Sequence, residues 1–455
     1  MTLSSINPAT GETIETYEET SPEEAQEIIS GAWKLFGAWR KIPFRDRADL
    51  MKNAGKVLRE NRDAYAGLMA REMGKPVNDG RAEADKCAWA CDYFAENAEA
   101  MLKPEEIETG AAKSYVIFQP LGVILAIMPW NYPFWQVFRF AAPSLMAGNA
   151  AVLKHASNVS GCALAIEDVF RKAGFPEGLF RSLILSSKNI ENIIENPMIR
   201  GVAVTGSRKA GRSVASKAGN MLKKTVLELG GSDPYVILQD ADLKESAKAC
   251  ADSRLLNSGQ SCIAAKRFIA IESVREDFER LLVDEMKSRK MGDPLDEEVQ
   301  IGPQARKDLR ESLHVQVRKS IEKGAKCLLG GEMPDGPGAY YPLTVLTNVR
   351  PGMPAFDEET FGPVASIISA ADEDEAVSLA NQSEFGLGAA LFSKNVQRAE
   401  QLAAAEIEAG NCFINDFVKS DPRLPFGGVK DSGYGRELSA YGIKEFVNVK
   451  TIYIK

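Results

Sequence analysis

The stretch Leu256-Asn257-Ser258-Gly259-Gln260-Ser261-Cys262 sets one cysteine just past a glycine-containing turn, between a helix-like run and a strand-like one. A cysteine so placed can stand clear of its backbone, and a thiolate held by nearby dipoles or charge is a strong nucleophile. The plainer alternative is a small, inert core thiol. Glu228 ends the apolar run Val226-Leu227 just before Leu229-Gly230-Gly231, where desolvation raises a carboxylate toward the range of a general base. Asn131 follows Pro129-Trp130; its amide suits an oxyanion, or a turn or helix cap. Gly206-Ser207-Arg208-Lys209-Ala210-Gly211 follows a strand and opens a helix, whose free N–H groups favour a phosphate. The run is not GxGxxG. As a Walker A loop it fails, because Arg212 precedes Ser213 where a compact lysine ammonium is needed.

These residues need a large scaffold. The 455 residues are too many for one hydrophobic core, so two or three packed units are expected. With 45% hydrophobic and 26% charged residues, the composition is that of an ordinary soluble globular protein. A net charge of −8 without a lysine/arginine block argues against a nucleic-acid partner. No apolar run approaches the ~20 residues of a membrane span, so no membrane partner is expected. The N-terminus lacks the basic and apolar regions of a signal peptide. Seven sparse cysteines then fit reduced thiols in a cytoplasm. Cys87 and Cys91 lie one helical turn apart, but no second pair or histidine accompanies them, and no metal is expected.

In chain order, Asn7-Pro8 and Thr10-Gly11 predict short strands or a hairpin. Ser21-Pro22-Glu23-Glu24 reads as a capping box ahead of a helix. Helical runs follow at about 45–73 and 78–102, separated by Gly74 and Pro76. Residues 113–119 read as a strand. Strand-like runs at 123–127, 151–154, 182–185, 202–205 and 226–229 then alternate with helices, which implies a parallel, doubly wound sheet. Such sheets bind ligands beyond their strand carboxyl ends, and Asn131, Lys154, Ser207 and Glu228 each end or follow a strand. A second alternating set starts near Pro234. The tail FVNVKTIYIK reads as a terminal strand with no hairpin partner after it, open to pairing with another chain.

Taken together, PWNYP (129–133), KHAS (154–157), TGSRKAG (205–211), LELGG (227–231), GQSC (259–262), EETFGPV (358–364) and PFGGVKDSGYGRE (425–437) resemble aldehyde dehydrogenases. The resemblance runs from INPATGE to the C-terminus in order and spacing. It implies an α/β fold with a Rossmann-like cofactor domain (1–105 and 121–231) and an α/β catalytic domain (232–424). A β-strand oligomerisation element (106–120 and 425–455) would join the subunits of a homodimer or homotetramer. It also implies that Cys262 attacks an aldehyde, that Asn131 and the Cys262 N–H hold the oxyanion, and that Glu228 activates water against a thioester. The cofactor residues it implies are Trp130, Lys154, Ser157, Gly206, Ser207, Gly211, Leu229, Glu359 and Phe361.

Many NAD-using members carry Glu at the position of Ser157. Its absence here, with Lys154 three residues earlier, leads us to expect NADP, with NAD possible as well. His155 replaces a usual proline, and Ala264 stands where some relatives carry a second cysteine. Arg139 resembles the arginine that grips the carboxylate in succinate semialdehyde dehydrogenases, the branch this chain is most similar to; a structural ion pair is its alternative. A second arginine of some of those enzymes is Leu256 here, which makes Ser261, Ser420 and Arg423 candidate substrate residues. Other short aldehydes, such as glutarate semialdehyde or lactaldehyde, are the alternative substrates. A P-loop NTPase and a catalytically silent relative are the rival classes, opposed by Arg212 and by the presence of Cys262 and Glu228.

Overall fold

The computed structural model describes residues 2–455. It opens on the expected hairpin, β1 (Thr2–Ile6) against β2 (Thr13–Glu18). The helix Pro22–Trp39 begins with a complete capping box: Glu24 N–H donates to the Ser21 hydroxyl, and Ser21 N–H to the Glu24 carboxylate. The helix expected over 45–73 is two, Phe44–Glu60 and Arg62–Met73, because Asn61 leaves helical geometry (φ −111°, ψ 15°) and its amide donates to the Val57 carbonyl. Gly74, at φ +76°, ends the second; Pro76 precedes the long helix Val77–Met101.

Strands β3 (Glu105–Glu106) and β4 (Lys113–Pro120) lead into the first large sheet. Its parallel members are β5 (Val123–Met128), β6 (Ala150–His155), β7 (Phe180–Ser182), β8 (Ile199–Thr205) and β9 (Lys224–Glu228), in the spatial order 9-8-5-6-7. The strand expected at 182–185 sits earlier: Leu183 N–H still donates to the Leu153 carbonyl of β6 at 2.7 Å, but the chain then leaves the ladder, so the apolarity of buried Leu185 reports burial and not pairing. After β7 the chain returns to the other side of β5, so strand order reverses between β5 and β8. Ligands favour the crevice beyond the carboxyl ends at such a reversal.

The second sheet holds β10 (Pro234–Ile237), β11 (Arg267–Ile271), β12 (Lys326–Leu329), β13 (Thr344–Thr347), β14 (Val364–Ala370), β16 (Gly388–Phe392) and β17 (Asn411–Ile414), ordered 12-13-14-11-10-16-17. Only β12 runs antiparallel to its neighbour. One buried cluster runs from the first sheet to residues such as Tyr235, Phe268 and Ile367 of the second; a separate cluster covers the second sheet's other face.

The segment from 425 does not go straight to an arm. Its β18 (Val429–Lys430) forms a separate two-stranded sheet with β15 (Phe385–Gly386), just before β16 in the chain, and β19 (Gly433–Tyr434) joins the first large sheet at β9. The terminal strand β20 (Val447–Ile454) is not unpaired either. It lies antiparallel along the whole of β4, which leaves one edge of the three-stranded sheet β20-β4-β3 at β20. No helix is long and apolar enough to cross a membrane among the described residues.

Candidate active site

Cys262 is held by a backbone that only tight packing sustains. Asn257 (φ 52°), Ser258 (φ 57°) and Gly259 (φ 76°) are successive left-handed residues, the first two strained for side-chain-bearing types. The surroundings fix them. Gly302 N–H donates to the Ser258 hydroxyl at 2.8 Å, Ala305 N–H to the Gln260 amide oxygen at 2.8 Å, and buried Arg254 to the Gly259 carbonyl at 2.6 Å. The Lys266 ammonium, fully buried, donates to the carbonyls of Ser261 (2.9 Å) and Cys262 (2.6 Å). Sequence reading missed Lys266, since a lysine at the start of a strand carries no motif.

Two cavities meet at the sulfur. One, of about 250 Å³, is lined by Trp130, Asn131, Gly206, Ser207, Leu229, Gly230, Glu359 and Phe361 among others. It opens beyond the carboxyl ends of β5 and β8, at the strand reversal. The other, of about 210 Å³, is walled by apolar groups including Tyr132, Trp135, Leu256, Ile263, Phe417 and Phe426. Cys262 and Gln136 are the two residues lining both. Gln136 is buried, and its amide oxygen has no partner, so it is a polar group held ready between the cavities. A lone glutamine in a helical run gave no sequence signal.

The first cavity has the features of a dinucleotide site. Ser207 caps the helix Arg208–Asn220 by accepting from Ala210 N–H, leaving the N-terminal N–H groups facing it. Gly211 permits this packing: a Cβ there would lie 2.5 Å from Leu229. Trp130 and Phe361 stand edge to face at 5.7 Å. Glu359 accepts from Gly231 N–H at 3.0 Å and lies 3.8 Å from Lys266. At the carboxyl end of β6, Lys154 is buried with no ion pair or side-chain hydrogen bond among the described residues; the exposed Ser157 follows it. Neither lines the 250 Å³ cavity, but an ammonium left without a counter-ion at this strand end suits a phosphate. His155 is structural, its ring nitrogens within hydrogen-bond distance of the Met128 and Pro133 carbonyls.

The oxyanion candidates lie close to Cys262 in the chain fold. Asn131 gives one amide hydrogen to the Gln260 carbonyl at 3.0 Å, leaving the second; the Cys262 N–H makes no hydrogen bond among the described residues. Burial pushes the Cys262 thiol up to about 12, against the pull of Arg139 and Lys266. Glu228 is raised well above the usual carboxylate range by burial, opposed by Arg139 and reinforced by Glu437. Both of its oxygens are buried and unpartnered, and it lines neither cavity. Its carboxylate lies against Gly427, where a Cβ would come within 2.7 Å of Oε1.

Two of the candidate substrate residues have partners of their own. Arg139 does line the aldehyde-side cavity, but its guanidinium is not a free charge. It is paired with buried Glu437, donates to the Thr205 hydroxyl and lies over the Phe426 ring at 4.7 Å. Arg423 lies outside the cavity: it is exposed, clamped to Asp421 two residues earlier, and lies near the Trp89 ring. Ser261 and Ser420 do line the cavity. So does Lys86, from the helix Val77–Met101, which the sequence reading did not single out.

The aldehyde dehydrogenase family model matches residues 1–452. A probable succinate-semialdehyde dehydrogenase [NADP(+)] of Synechocystis is 48% identical, with all of both chains covered. A succinate semialdehyde dehydrogenase [NAD(P)+] of Escherichia coli is 47% identical over 99% of this chain and 97% of its own. The crystal structure of succinic semialdehyde dehydrogenase from Streptococcus pyogenes, in complex with NADP+, superimposes with a TM-score of 0.97 at 38% identity, covering 99% of each chain.

Proposed function

The chain belongs to the aldehyde dehydrogenase family, and from that premise we propose that it is an NADP-preferring succinate semialdehyde dehydrogenase. One observation carries the chemistry: Cys262 stands where a cavity with phosphate-binding features meets a mostly apolar cavity of small-aldehyde size. The Cys262 thiol first gives its proton to water; the thiolate then adds to the aldehyde carbon, and the carbonyl oxygen takes the electron pair, held by the Asn131 amide and the Cys262 N–H. The nicotinamide, when bound, supplies the acceptor for the hydride that then leaves this carbon. What remains on Cys262 is a thioester. Glu228, basic through its burial, takes a proton from water, which attacks the thioester and releases the acid and the thiol. Because Glu228 lines neither cavity, it must rotate away from Gly427 to do so.

Ser207 and the helix it caps would hold the pyrophosphate, Lys154 and Ser157 the adenosine ribose with its 2′-phosphate, and Glu359 with Phe361 the nicotinamide end. Gly206, Gly211, Leu229 and Trp130 shape the walls between. A glutamate at Ser157 would set a charge against that phosphate; this chain has none there. Homo-oligomer formation fits a sheet that ends at β20, and seven free thiols fit a reducing cytoplasm. Steady-state oxidation of succinic semialdehyde and butanal, each with NADP and with NAD, tests the reading. The expected kcat/KM is highest for the semialdehyde with NADP; a higher value for butanal, or for NAD, would overturn the corresponding half.

A further inference from the structure

The aldehyde-side cavity carries a charge that the ion pairs around it leave over. Glu83 is paired with Lys75 and accepts the N–H groups of Phe134 and Trp135, so it caps the buried helix Trp135–Met146. Arg139 is paired with Glu437, and Lys419 with Asp416 at 2.7 Å. Burial pushes Asp79 up, toward its neutral form. Lys86 alone among the charged groups lining this cavity is a cation with no carboxylate within ion-pair distance, among the described residues. Its ammonium donates to the Ser420 hydroxyl at 2.8 Å and lies 4.4 Å from the centre of the Trp135 ring.

Ser420 sharpens the picture. It also accepts from the Trp135 indole N–H, at 3.1 Å. Two incoming N–H groups occupy both lone pairs of the hydroxyl oxygen, so its own hydrogen points elsewhere. Lys86 keeps two of its three N–H groups after the bond to Ser420. A cationic donor and a neutral donor thus stand side by side in a cavity with largely apolar walls, and no carboxylate among the described residues accepts from either. A carboxylate supplies one oxygen to each.

We infer that Lys86, with Ser420, binds the remote carboxylate of the semialdehyde and so selects it over an uncharged aldehyde; this rests on the substrate reading above. Arg139 then adds positive potential from the cavity floor while serving mainly as the counter-ion of Glu437. Burial, and then Arg139, lower Lys86 to about 8, while Cys87 and Glu83 on its own helix and Asp421 on the loop before β18 act the other way; Asp79, Lys419 and Cys262 share the cavity. The subsite therefore loses its charge as pH rises through about 8 in the free enzyme, which is the state kcat/KM reports.

The experiment measures kcat/KM for succinic semialdehyde and butanal with NADP, at pH 7 and pH 9, for the parent, Lys86→Met and Lys86→Arg. Taking the ratio of the two substrates cancels the ionisation of Cys262, which both share. Lys86→Met should lower the semialdehyde value roughly tenfold to hundredfold, the worth of a charge-assisted hydrogen bond, and the butanal value far less. The parent ratio should fall between pH 7 and 9. Lys86→Arg should retain most of the ratio at pH 7 and hold it at pH 9, since a guanidinium stays charged. Equal losses on both substrates, or a Lys86→Met ratio matching the parent, would overturn the assignment while leaving the substrate reading intact. A parent without preference for the semialdehyde would instead remove that reading and this subsite with it. Should Lys86→Met fail to fold, the pH dependence of the parent against Lys86→Arg decides alone, and two parallel profiles would refute the proposal.

Discussion

At the scale of single residues, the site is a set of buried groups whose charge states depend on one another. Arg139 pulls the proton affinity of both Cys262 and Glu228 downward while burial pushes each up, and Glu437 holds Arg139 in place. Glu228→Gln should keep the shape and remove the base. Such a variant should release one burst of reduced cofactor per active site and then slow by about two orders of magnitude or more, the usual weight of general-base catalysis. Linear progress at the parent rate, followed by absorbance, would show that another group activates the water. Much of this set was legible beforehand. Cys262, Asn131 and Glu228 each end a run of distinctive composition, so side-chain chemistry and local pattern agree. Lys86 was not, because Asp79, Glu83, Asp85 and Lys86 read as the mixed charges of a solvated helix face. That three of them face a cavity follows from how the helix packs. The partner of Arg139 was out of reach for a similar reason: Glu437 lies almost 300 positions away, beyond any local pattern.

At the scale of elements, the placement of Cys262 depends on the left-handed turn that follows the helix Leu243–Leu255. Gly259→Ala would place a methyl group against the backbone of Gly362 and force an alanine to φ 76°. The left-handed conformation costs about 1–2 kcal/mol and the steric overlap about 1–3 kcal/mol more. The variant should melt several degrees below the parent in a thermal scan and lose most of its activity; a parent-like melting curve would mean that the turn yields easily. Strand and helix alternation was readable from periodicity, since buried parallel strands are short apolar runs bounded by turns. The boundaries were less so. Asn61 breaks a helix through a side-chain bond that composition does not announce, and the buried Leu185 satisfies the pattern of a strand without being in one.

At the scale of the whole molecule, β19 extends the first large sheet, β18 pairs with β15 just ahead of the second, and the small three-stranded sheet ends at β20. Val449, Tyr453 and Ile454 expose apolar side chains on that last strand, at 61%, 60% and 48%. An exposed apolar edge calls for a cover. If β20 carries a subunit contact, replacing Val449 and Tyr453 with aspartate should shift the protein to a smaller species in sedimentation equilibrium without unfolding it; an unchanged mass would leave β20 without a part in assembly. The sequence showed this strand but not its partner, because pairing between residues 113–120 and 447–454 is a register set by tertiary contact alone. The meeting of two cavities at one sulfur has a further consequence. They share only Cys262 and Gln136 and touch through the bond from Arg139 to Thr205, so wall residues away from that seam belong to one cavity alone. Free-energy changes at positions well away from that seam, with no shared partner, add. Preference for the aldehyde and preference for the coenzyme can therefore drift, or be engineered, as two independent traits, each adjusted without retuning the other.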